Sequence, residues 1–270
     1  MFVFEANPMP AQFTFPFSPK GKSAIVPSPP WSYAGDALVV EFWARPDAVK
    51  ALLPEGLKLD EDAGHAQALF VDWQFTASGD EFLDPARYQY REFYILIDAI
   101  YRDKKVAFCP YIFVDNDSAM ARGWAQGFPK RLASVFQTRT FAAPSKASPR
   151  LAAGNRFAGS MSSNGQRLAE GRVLIEKPLE NPSSLASRPT INLRHFPQLA
   201  TGKHQTPAVH ELVQAQFSNY SLKDAWVGRG DLVLPECRGE ELSDLAPLKC
   251  GLGFRASMGL TVDGLIILPT

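Results

Sequence analysis

The residues that could carry chemistry gather in one stretch, Tyr111 to Ala133. It runs through Asp115-Asn116-Asp117 and on to Gly127-Phe128-Pro129-Lys130-Arg131-Leu132. Lys130 follows a helical segment and stands at the mouth of an apolar strand, an unusual place for a charge that only solubilises. An amine there is a candidate nucleophile. Two adjacent cations at a turn also describe a solvated surface, so these residues alone leave both readings open. Other signatures are absent: no GxSxG, HExxH, Walker loop or dinucleotide fingerprint occurs. His65, His195, His204 and His210 lie far apart or at spacings that suit no metal pair, so no metal is expected. Asp60-Glu61-Asp62 reads as a solvated turn.

Composition narrows the class. The 270 residues are 46% hydrophobic and 21% charged, which is globular composition for one large domain or two intimately packed ones. Lys+Arg 28 against Asp+Glu 28 leaves no basic excess for a phosphate backbone, so no nucleic-acid partner is expected. No run approaches the length of a membrane span, and no membrane partner is expected. Cys109, Cys237 and Cys250 form no CxxC and are odd in number, which suits a reducing, cytoplasmic setting.

Several elements must position the lysine. Residues 1–32 are rich in proline and read as an extended arm, with Phe13, Phe15 and Phe17 pinning it to the core or to a neighbouring subunit. Residues 33–270 form a single domain. The expected strands are Ala37 onward, 68–75, 93–101, 106–114, 135–141, 156–161, 168–176, 208–217, 221–227, 231–234 and 254–268. Arg102 to Lys105 turns one pair into a hairpin. Helices are predicted from Pro46 to the stop at Pro54 and Gly56, and over 118–126, capped by Asn116 or Asp117 and ended by Gly127. Residues 144–149 and 178–189 are loops. The sum is a mainly β (α+β) fold of antiparallel, barrel-like sheets with a few flanking helices.

The stretch around Lys130 resembles the acetoacetate decarboxylase family: an Asp-Asn turn, a helix, then aromatic-Pro-Lys-Lys/Arg-Leu. Ala48 to Leu57, Glu211 to Ala215, Asp224 to Gly228 and Ala246 to Leu248 extend the similarity over roughly residues 30–268. The resemblance implies that Lys130 forms a Schiff base, without a cofactor, on a small-molecule carbonyl substrate. Such an amine must be neutral at working pH, through burial or a nearby cation, and this family is the standing example of that tuning. Arg131 takes the place of the family's adjacent cation. Glu92 matches its acidic residue and implies orientation of substrate or proton transfer; a strand-edge partner for Arg87 or Arg91 is its other reading. The family's habit of assembly implies a homo-oligomer.

Departures shape the expected activity. The family's carboxylate-binding arginine falls on Gly35, and its second glutamate on Gln74, an amide that cannot take a proton. Gly-Arg-Glu has become Gly123-Trp124. An aromatic-rich wall of Trp73, Phe93, Phe113, Met120 and Phe128 would suit a larger or less charged carbonyl compound than acetoacetate. The expected function is a lysine-imine carbon–carbon lyase, decarboxylating a keto acid. An aldolase or dehydratase on the same imine and a non-catalytic binding barrel are the alternatives.

Overall fold

The computed structural model describes residues 13–180 and 188–269. Residues 1–12 of the expected arm and 181–187 of the expected loop lie outside the described residues. In chain order the first half holds β1 (Trp31–Trp43), α1 (Pro46–Leu52), β2 (Lys58–Leu59), β3 (His65–Thr76), α2 (Pro85–Tyr88), β4 (Gln89–Tyr101), β5 (Lys104–Val114) and α3 (Asp117–Ala125). The second half holds β6 (Lys130–Leu132), β7 (Ser134–Gln137), β8 (Arg156–Ser163), β9 (Gln166–Pro178), β10 (Thr190–Phe196), β11 (Val209–Val233) and β12 (Lys249–Ile267).

All strands of the described residues join one sheet, with the main order β10-β5-β4-β3-β1-β12-β11-β9-β8-β7, β2 added on β4 and β6 on β5. Because β10 also pairs with β11, the run from β10 to β11 returns on itself as a ring. Strands dominate as the sequence predicts, but the sheet is mixed. β5 pairs in parallel with both β10 and β6. The expected hairpin forms with Arg102 and Asp103 alone at positive φ, a tight two-residue turn whose twist suits antiparallel strands, and Lys104 and Lys105 begin β5.

Three strands expected between residues 208 and 234 are instead the single β11. Asn219 (φ 51°) and Asp224 (φ 47°) sit at register shifts against β12, so the chain bulges there and continues. β10 occupies a stretch in which no strand was expected.

Alternation along the strands gives the sheet two apolar faces. One face carries Leu38, Val40, Phe42, Phe70, Phe93, Ile95 and Phe113 into a core shared with Phe157, Met161 and Val173 of β8 and β9. Complete burial of such a side chain contributes roughly 1.5–3 kcal/mol. The other face carries Val71, Trp73, Phe75, Tyr90, Leu96 and Ile112, and is covered by α3 and by residues 24–31. In the arm, Val26 and Trp31 do this packing, while Phe13, Phe15 and Phe17 are exposed on this chain, contrary to the expectation that they reach its core. Asp60 is not a solvated turn residue either: it is buried, because Arg188 reaches in to pair with it.

Candidate active site

Lys130 is placed by α3. Asn116 Oδ1 accepts from the Ala119 amide at 2.8 Å, the cap expected of it, and fixes where the helix begins. At the other end Gly123 O accepts from the Phe128 amide at 2.9 Å, folding the chain back toward the sheet. Trp124 Nε1 then donates to Lys130 O at 2.9 Å. β6 joins β5 with Lys130 beside Ile112, so the lysine side chain enters the face covered by α3. Glu92 reaches the same face from β4, between Val71 and Val114.

The two side chains meet there. Lys130 Nζ lies 2.6 Å from Glu92 Oε2, and their side chains are 7% and 8% exposed. Trp73 Nε1 donates to Glu92 Oε1 at 3.2 Å, and the Tyr90 ring centre is 5.4 Å from Nζ. A hydrogen bond to an ionised group is worth about 1.5–3 kcal/mol, enough to hold the carboxylate in one orientation. Burial depresses the proton affinity of Lys130; the Glu92 charge raises it back, and Arg122 lowers it again, leaving the amine below its ordinary value. Tyr90 is pushed up by burial and then by Glu92, so its phenol stays protonated.

Arg122 is the second cation of the site, and the sequence reading missed it. It is 1% exposed, its Cζ lies 3.8 Å over the Phe75 ring, and its Nη1 donates to Ser118 Oγ at 2.7 Å. Ser118 Oγ in turn donates to Ile25 O at 2.6 Å, so both hydroxyl functions are used. Arg122 Nε and Nη2 are buried without a well-formed hydrogen bond among the described residues, and the guanidinium lies beside the phenols of Tyr33 and Tyr90. The signal available in the sequence was a single arginine among Ser118, Ala119, Ala121 and Gly123, small residues that leave room for a long side chain. Tyr90, two residues before Glu92 and therefore on its face, could have been found by alternation.

The remaining expected residues divide between the faces. Trp73, Met120 and Phe128 belong to the cluster around the lysine. Phe93 and Phe113 do not: they point into the opposite core, where the Phe93 ring packs at a tilt between those of Phe70 and Phe113. Gln74 is exposed and accepts from Gln89, facing away from Lys130 because Trp73 beside it faces in. Arg131 likewise points away, its guanidinium binding both oxygens of Glu240, so it is not the cation beside the amine. At Gly35 a Cβ would lie 2.7 Å from the Trp73 ring, so the indole occupies the room in which a longer residue would project.

The chain matches the family model described as acetoacetate decarboxylase over residues 14–268. No curated protein matches it. Among solved structures, the enduracididine biosynthesis enzyme MppR complexed with pyruvate is 35% identical, with 98% of this chain and 99% of that one covered and a TM-score of 0.88. The same enzyme is also solved with the condensation product of pyruvate and imidazole 4-carboxaldehyde. An acetoacetate decarboxylase-like enzyme from Sphingomonas wittichii RW1 is 26% identical over 97% and 99% of the chains, with a TM-score of 0.84. The fold, the matched span and these likenesses agree: this chain belongs to the acetoacetate decarboxylase family of enzymes.

Proposed function

We propose that the protein is a lysine-imine lyase of the aldol type, acting on a keto acid whose carboxylate is received by Arg122. The observation that carries the reading is the buried Lys130–Glu92 pair beside a buried guanidinium, two of whose donors make no well-formed hydrogen bond. The neutral amine adds to the keto carbon, and loss of water leaves an iminium. Glu92, 2.6 Å from Nζ, is placed to take a proton from the neighbouring carbon, giving an enamine. That enamine carbon bonds to an aldehyde, or the reverse step cleaves such a bond, and hydrolysis frees Lys130. The buried phenol of Tyr90 stays neutral and can donate a proton.

Arg122 argues for keeping the carboxylate. Decarboxylation moves the negative charge off the carboxyl group, and a guanidinium that binds the ground state better than the transition state slows that loss. The complexes of MppR with pyruvate and with its aldehyde condensation product support the same choice. A second reading, decarboxylation of a β-keto acid with the electron pair passing into the iminium, is favoured by membership of the family.

Borohydride treatment in the presence of pyruvate, alone and with a panel of aromatic aldehydes, tests the reading. A reduced adduct on Lys130, absent in Lys130→Ala, and a new carbon–carbon bond without release of carbon dioxide are expected. Carbon dioxide release from β-keto acids would select the second reading. Ligand binding with no adduct, unchanged in Lys130→Ala, would make the protein a non-catalytic container.

A further inference from the structure

We infer that Gly123 is a positioning residue for the amine: its missing side chain is the groove in which the stem of Lys130 lies, and that groove aims Nζ at Glu92. A Cβ built on Gly123 would come within 2.6 Å of Lys130 Cε and closer still to Cγ and Cδ. Real side chains do not approach so closely, so any substituent at 123 expels the lysine stem or shifts the helix. Backbone freedom gives no other reason for the glycine. Gly123 lies inside α3, and its φ is not in the left-handed region. Glycine is a poorer helix former than alanine there, so the position sacrifices local stability.

The surrounding bonds make the groove a clamp. Gly123 O holds the Phe128 amide, Trp124 Nε1 holds Lys130 O, and the Lys130 amide donates to Phe128 O at 2.8 Å. Backbone and stem are thus both fixed by one turn of α3, leaving Nζ to meet Glu92 under the Tyr90 ring. The role in turnover rests on the lysine-imine reading, whereas the placement of the stem does not.

The test separates the two. Competitive labelling of the intact protein with acetic anhydride across pH reads the proton affinity of the Lys130 amine without any catalysis. In Gly123→Ala the midpoint is expected to rise toward that of an ordinary lysine, and the yield of borohydride-trapped pyruvate adduct to fall at least tenfold, while helix content is kept. A wild-type midpoint in folded Gly123→Ala would overturn the inference. Trp124→Phe, at a partly exposed position, releases only the backbone half of the clamp and is expected to lower the adduct yield with a smaller rise in midpoint; no change in either would also count against it. Should the wild-type protein form no adduct while Gly123→Ala still moves the midpoint, the imine reading fails and the positioning role stands.

Discussion

Arg131 grips both carboxylate oxygens of Glu240, at 2.6 and 2.7 Å, on the side of β6 opposite Lys130. Consecutive residues of a strand point to opposite faces, so the cation next to the lysine in sequence is not next to it in space. Arg131→Ala is expected to leave the pH midpoint of Lys130 labelling where it is. A rise in that midpoint would return Arg131 to the tuning of the amine.

Arg122 carries the opposite expectation. Its charge lowers the proton affinity of Lys130, so Arg122→Met, which retains bulk over the Phe75 ring, is expected to raise the midpoint. With its guanidinium removed, KM for keto acids is expected to rise by about 10-fold or more, a loss of roughly 1.4 kcal/mol or more of carboxylate binding. Steady-state kinetics comparing pyruvate with an uncharged ketone checks this. Equal losses for both substrates would deny the carboxylate contact.

Glu92→Gln is expected to lower kcat by roughly 10²–10⁴ as general acid–base help disappears. The sign of its effect on the amine is set independently: the Glu92 charge favours the ammonium, so its removal moves the Lys130 midpoint downward. An increase in KM with kcat intact would assign Glu92 to binding alone.

Lys130→Arg keeps a cation but offers no nucleophile, because a guanidinium stays protonated. Turnover is expected to fall on the order of 10⁴-fold or more with the fold retained, measured by circular dichroism and product formation. Turnover near the parent rate would exclude covalent catalysis at this position.

Far from the site, His65 Nδ1 lies 2.7 Å from Asp98 Oδ2, and that bond holds the imidazole above its ordinary proton affinity. The folded state therefore binds the proton more tightly than the unfolded chain. The pair's contribution is complete below the unfolded value near about 6.5 and vanishes as pH climbs through the raised folded value. His65→Phe is expected to lower the urea midpoint at about pH 5.5 and to change it little at about pH 8.5. The same loss at both would reduce His65 to its packing against Trp43.

How much of this was legible in sequence depends on range. Lys130, Glu92 and the capped helix before the lysine are set by local motif, and the structure places all three together. The errors at Arg131, Gln74, Phe93 and Phe113 share one cause: each needs the face of a strand, and a one-residue error in phase reverses every side chain. β6, only three residues long, gives no periodic signal from which to fix that phase. Arg122 was hidden for another reason. Which side of a nine-residue helix is inward follows from how it docks, and the surface that receives Arg122 comes from Phe75 of β3, Tyr90 of β4 and the segment around Ile25, distant in the chain.

That same helix bears the hydroxyl that orients Arg122, Arg122 itself, the groove for the lysine stem and the indole that holds the lysine's backbone. At nine residues it is too short to persist alone in water, so it exists only while it rests on the sheet. Lys130 and Glu92 stand on strands, but what aims the lysine is therefore held by a layer whose stability is borrowed from the sheet. Loss of that contact would free the lysine stem even where β4 and β5 remain paired.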